Sequence, residues 1–143
     1  MKTFRFLVVL GMTAFLVACA ATGGGKQGGN RQDVISWCNC GAECKCNAVS
    51  THPGMCSCGK EMAGGHVVFM EGNTALVCTC GPDCTCKIDP KDHTKCGCGK
   101  PVKRIDLTGT GLYFCNCKGS CGCNTVSDKP GNCSCGGALH QAK

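Results

Sequence analysis

The chain has 143 residues, including 19 Cys, 22 Gly, one Trp and one Tyr, and carries a formal net charge of +6. Apolar residues make up 43%, but cysteine is counted among them and much of the rest gathers near residue 10, which leaves too few for a large hydrophobic core. This excludes a barrel or doubly wound enzyme fold and a multi-span membrane protein. Charged residues, at 17%, do not favour simple disorder, and the cysteine content marks a chain cross-linked by disulfide or by metal.

Lys2 and Arg5 form a basic start, and the apolar run 6–18 has the length of a signal-peptide core. It is too short for a membrane-spanning helix, which needs about 20 residues. The run ends Leu16-Val17-Ala18-Cys19, which resembles the lipobox of bacterial lipoproteins. The resemblance implies that 1–18 is a signal peptide and that Cys19 is lipidated and anchors the chain to a membrane. With Ala20 following, it implies the outer membrane, facing the periplasm, in a Gram-negative cell. Residues 23–30 are mostly Gly, and 19–31 read as a flexible tether. The mature chain keeps 13 basic and 9 acidic residues, a formal charge of +4. Its basic residues are scattered and lack an aromatic platform, so no nucleic-acid partner is expected.

The remaining 18 cysteines fall into three blocks of six. The first is Cys38, Cys40, Cys44, Cys46, Cys56 and Cys58. The second is Cys78, Cys80, Cys84, Cys86, Cys96 and Cys98. The third is Cys115, Cys117, Cys121, Cys123, Cys133 and Cys135. Each block reads C-x-C-x3-C-x-C-x9-C-x-C-G, and the blocks recur at 40 and then 37 residues. Such regularity is an internal repeat, with units at 32–63, 64–102 and 103–143. A β-prone stretch leads into each block: Val34-Ile35-Ser36-Trp37, Thr74-Ala75-Leu76-Val77 and Leu112-Tyr113-Phe114. Between blocks, the segments 66–70 and 104–107 are followed by the turn residues Glu71-Gly72-Asn73 and Gly109-Thr110-Gly111, so both read as β-hairpins with the next leading strand. Pro53, Pro90 and Pro130 make the nine-residue loops turns rather than helices. The expected fold class is small, Cys-rich, metal-bound domains. It consists of three tandem β-hairpin, zinc-knuckle-like units on a string, with little helix after the signal peptide.

Units of this size need a staple beyond apolar burial. A disulfide within C-x-C is strained, whereas a kinked C-x-C can converge two sulfurs on one ion. Gly59, Gly99 and Gly136 follow the last pair and tolerate the positive φ such a knuckle needs. One tetrahedral zinc takes four thiolates. Two zincs sharing two bridging sulfurs use all six, as does a small Cu(I) cluster. The repeated ligand set is cysteine alone, unlike catalytic zinc sites, which keep an open position and mix in other ligands. All 18 repeat cysteines are candidate ligands for Zn, Cu(I) or Cd. His52 and His93 read as loop surface with a secondary chance of ligation. His66 and His140 read as strand and tail surface. Met55, Met62 and Met70 are candidate copper contacts, the last two also hairpin packing.

The segments 47–62 (NAVSTHPGMCSCGKEM) and 124–139 (NTVSDKPGNCSCGGAL) resemble the heavy-metal-binding domain of bacterial copper efflux adaptors and metal-transporting ATPases. Tyr113-Phe114-Cys115, Pro130-Gly131 and Cys133-Ser134-Cys135-Gly136 occupy the places of that domain's aromatic, turn and paired-cysteine knuckle, although its pair is usually C-x-x-C. The density of C-x-C pairs is similar to that of bacterial metallothioneins. The resemblance implies metal binding. The expected role is therefore a non-enzymatic, metallothionein-like lipoprotein that sequesters or buffers soft metals at the cell envelope, its folding coupled to metal so that the stripped form is largely disordered. The alternative is a disulfide-stapled surface lipoprotein, since exported compartments favour oxidation. A thiol-exchange role needs one distinct reactive cysteine, which three equivalent blocks do not offer.

Overall fold

A computed structural model describes residues 31–41, 45–81, 83–117 and 120–143. The expected signal peptide, the expected anchor Cys19, the expected tether up to residue 30 and Cys44 lie outside the described residues. Among the described residues the secondary structure is all strand. Five strands, β1 (Val34–Cys38), β2 (Val49–Ser50), β3 (Met62–Glu71), β4 (Thr74–Cys78) and β5 (Val102–Asp106), form one antiparallel sheet in the order β2-β1-β3-β4-β5. Three short strands, β6 (Tyr113–Phe114), β7 (Val126–Ser127) and β8 (His140–Gln141), form a second in the order β7-β6-β8.

The first expected hairpin is present. β3 and β4 are joined by the two-residue turn Gly72-Asn73, with Glu71 opposite Thr74 and Gly72 at φ +59°. The second does not form. β5 pairs with β4, and β6 pairs with β7 and β8 in the other sheet. The reason lies in the last C-x-C-G of each block, which already turns the chain back on itself. Each leading strand then pairs with the strand leaving its own block: Cys38 faces Met62, Cys78 faces Val102, and Phe114 faces His140. Residues 109–111 carry the chain across to the second sheet rather than closing a hairpin.

Side chains alternate between two faces of the large sheet, as the strand pleat requires. Ile35 and Trp37 of β1, Ala75 and Val77 of β4 and Ile105 of β5 point to one side. There they join Val67, Met70, Leu107, Leu112, Phe114, Val126 and Ala142 in a single buried cluster. Residues from all three repeats contribute, so the repeats are not strung as separate beads. Each repeat alone holds too few apolar residues for a core, but pooled they build one. The other face holds Val68, Leu76, Cys78 and Cys96, with Phe69, Ile88, Val102 and further cysteines packed on them. The β-bulge between Val67 and Phe69 lets β3 serve both faces.

Gly65 marks the tightest point of this sheet. A Cβ there would sit 2.5 Å from the Cys78 carbonyl oxygen, 2.8 Å from Val77 Cγ1 and 3.1 Å from the Trp37 ring. Backbone and core leave no direction of escape. Gly64, one residue earlier, meets only Ser36 Oγ at 3.8 Å. Gly65→Ala is expected to cost about 1–3 kcal/mol through overpacking, and Gly64→Ala far less. Thermal unfolding of the two variants followed by circular dichroism checks this, and equal melting temperatures would contradict it.

Candidate metal centres

The last C-x-C-G folds identically in the three blocks. The Cys56, Cys96 and Cys133 amides donate to Lys60, Lys100 and Gly137 carbonyls at 2.9, 2.9 and 2.8 Å. The Gly59, Gly99 and Gly136 amides donate back to the Cys56, Cys96 and Cys133 carbonyls at 2.9, 2.8 and 2.8 Å. Gly59, Gly99 and Gly136 adopt φ values of +76°, +81° and +86°, which an L side chain at these positions would resist. A second tie closes each loop: the Met62, Val102 and Leu139 amides donate to Gly54, Thr94 and Gly131 carbonyls. In every block the fifth cysteine is buried and the sixth exposed.

These kinks converge the sulfurs. Within pairs, Sγ atoms lie 2.9 Å apart in Cys96/Cys98, 2.7 Å in Cys133/Cys135, 3.3 Å in Cys84/Cys86, 3.2 Å in Cys115/Cys117 and 3.1 Å in Cys121/Cys123. Across the block, Cys38 reaches Cys56 at 3.0 Å, Cys78 reaches Cys86 at 3.2 Å and Cys115 reaches Cys123 at 3.2 Å. A tetrahedral ion with metal–sulfur bonds of about 2.3 Å holds its sulfurs roughly 3.8 Å apart. The observed spacing is within an ångström or so of that.

The groups that can hold a metal ion follow the repeats. In the third block Cys115, Cys123, Cys133 and Cys135 form one, and Cys115, Cys117, Cys121 and Cys135 form another, the ligand atoms of each lying within 4.8 Å of one another. The two share Cys115 and Cys135 and together use all six cysteines. In the second block Cys78, Cys86, Cys96 and Cys98 form the counterpart of the first group. Cys80 stands outside both groups of this block, 3.2 Å from Cys98. The first block brings together Cys38, Cys40, Cys46, Cys56 and Cys58. Cys40 is disulfide-bonded, so it must be reduced before it can act as a thiolate. The second and third blocks carry thiols at all twelve positions. A cleft of about 850 Å³ opens beside the last two clusters, with Cys86, His66 and Cys121 on its wall.

The remaining candidates are mostly peripheral. His52 lies 3.8 Å from Asp128, and His93 packs on the Phe69 ring and lies 3.8 Å from Glu71. His140 is exposed on β8, Met55 is 65% exposed, and Met70 is buried in the apolar core. His66 differs from expectation. It is buried rather than on a strand surface, and it belongs to a group with Cys78, Cys84 and Cys86. Its sequence neighbours are apolar, and only the register of β3 against β4 reveals that it faces Cys78.

Each block holds at least one thiol that ionises easily beside others that resist; in the second, Cys84 is lowered as well as Cys98, first by the Cys86 amide. Hydrogen bonds from Cys38 and Cys58 bring Cys56 down to about 6. Cys98 falls to about 6, first through Cys96 and then the Lys100 amide. Burial opposes ionisation of Cys123, yet the Thr125 amide and the Cys121 and Cys115 thiols hold it at about 5. Conversely, contact with Cys46 and Cys56 pushes Cys38 up to about 12. Burial is the first cause for Cys78 and Cys86, both pushed up to about 12, and it also raises Cys115.

No known protein family, curated protein or solved structure matches the chain.

Metal ligation needs deprotonated sulfur, so the metal-bound chain carries fewer protons than the metal-free one. Uptake at pH 7 is expected to release protons from raised thiols such as Cys38, Cys78 and Cys86. Affinity should fall as pH falls, with a further loss below about pH 6 as Cys56 and Cys98 become protonated, and nearer pH 5 as Cys123 follows. Competition against a zinc indicator across pH 5–8 measures this, and an affinity independent of pH would contradict it.

Proposed function

We propose that this chain is a non-enzymatic, lipid-anchored protein of the bacterial cell envelope that sequesters or buffers soft metal ions through the thiolates of three tandem knuckle-like units. The observation that carries this reading is the third block, where two overlapping four-sulfur groups share Cys115 and Cys135 and leave no cysteine unused. Two tetrahedral ions bridged by two thiolates need that arrangement. The identical backbone knuckle in all three blocks supports extending the role to all 18 repeat cysteines, once Cys40 is reduced. Soft thiolate ligands select Zn, Cd or Cu(I). The lipobox-like Leu16-Val17-Ala18-Cys19 supports an anchor at Cys19, facing the periplasm from the outer membrane. Closed sulfur sets without an open position argue for storage rather than catalysis.

The disulfide bond at Cys40 favours a second reading, a disulfide-stapled surface lipoprotein. Both readings are separated by purifying the chain from membranes without air, then measuring bound elements and intact mass together. The proposed function predicts zinc, cadmium or copper in more than one equivalent, a full thiol count after metal removal, and an acyl-bearing N-terminus at Cys19. A metal-free chain, lighter by two hydrogens for each bridge and inert to alkylation, would establish the second reading instead.

A further inference from the structure

His66 is 2% exposed and sits on β3 directly opposite Cys78 of β4. Directly opposed residues of an antiparallel pair project to the same face, so the imidazole shares the sulfur side of the sheet. The second block is built differently from the other two at this edge. In the first and third, the leading strand is flanked by a Val-Ser strand from its own loop, with Trp37 opposite Val49 and Phe114 opposite Val126. Those strands follow Asn47 and Asn124, which adopt φ values of +32° and +43°. The second block has Lys87 at that position and no Val-Ser after it. β3 takes the vacant edge instead and brings a histidine where its counterparts bring none.

The ring is oriented as a ligand would be. Nε2 lies 2.7 Å from the Cys86 carbonyl oxygen, and an Nε2–H donating there leaves the Nδ1 lone pair. Nδ1 is buried without a hydrogen-bond partner among the described residues. A backbone carbonyl on one imidazole nitrogen commonly fixes the tautomer so that the other can bind a metal. A ring nitrogen and the sulfurs of Cys78, Cys84 and Cys86 lie within 4.8 Å of one another. Cys78 and Cys86 also belong to the neighbouring group with Cys96 and Cys98.

We propose that His66 Nδ1, with Cys78, Cys84 and Cys86, forms a mixed three-sulfur, one-nitrogen site for a divalent, zinc-class cation in the second repeat. This rests on the metal-binding reading above. Three thiolates and an imidazole form a set that zinc accepts, and a borderline nitrogen donor in place of a fourth soft thiolate suits a borderline divalent ion better than Cu(I). The second repeat is thereby distinct from the all-sulfur third.

The test uses the full chain labelled with ¹⁵N-histidine, reduced and loaded with ¹¹³Cd²⁺ without air. One histidine Nδ1 is expected to show direct coupling to ¹¹³Cd. The coupling should vanish in His66→Asn and persist when His52, His93 and His140 are all replaced by Asn. Bound cadmium with no histidine coupling overturns the role of His66 and leaves thiolate binding standing. A coupling that survives His66→Asn also overturns it. Failure to bind cadmium at all overturns both readings.

Discussion

Crowded sulfur is the constraint from which the other features follow. Two like charges about 4 Å apart near a protein surface repel by about 4 kcal/mol, and several sulfurs in each block lie closer than that. Without a counter-charge they cannot all ionise together: burial pushes Cys78 and Cys86 up to about 12, contact with Cys46 and Cys56 does the same to Cys38, and only some neighbours, such as Cys56, Cys98 and Cys123, are lowered. A bound cation reverses the balance, because every added thiolate then becomes attractive. The knuckle glycines and their paired amide bonds keep the backbone in the one conformation that brings these groups together.

Apolar burial and sulfur ligation divide the work between the two faces of the large sheet. Ile35, Trp37, Val77 and their partners close a dry core shared by all repeats, while Cys78 and Cys96 sit on the other side among Leu76 and Val68. Strand alternation imposes this separation, since each step along β4 reverses the direction of the side chain. The shared core narrows the expectation of a disordered metal-free chain. The sheet has apolar stabilisation of its own, to which Val49 and Val126 tie the first and third loops, whereas the C-x-C knuckles depend on what the sulfurs bind.

Much of this was legible in the residues. The exact recurrence of C-x-C-x3-C-x-C-x9-C-x-C-G marks which sulfurs act together, and Gly59, Gly99 and Gly136 mark where positive φ is needed. The Glu71-Gly72-Asn73 hairpin was legible too, because a tight turn between two apolar strands is a local signal. Long-range features were not. The Gly109-Thr110-Gly111 turn resembles a hairpin locally, but β4 and β8 compete for its flanking strands and win, because each leading strand pairs with the strand that leaves its own cysteine block. The shared core was not legible, because each repeat alone carries few apolar residues and only long-range strand pairing pools them. His66 escaped because its position depends on strand register across 12 residues, a property that no local motif carries.

Amide hydrogen exchange on the full chain, reduced and compared with and without bound zinc, tests most directly whether cations organise the sulfur loops on a preformed sheet. The account predicts that metal removal exposes the knuckle amides of Cys56, Gly59, Cys96, Gly99, Cys133 and Gly136, while β3 and β4 stay protected. Equal protection of those knuckles in both states would contradict it.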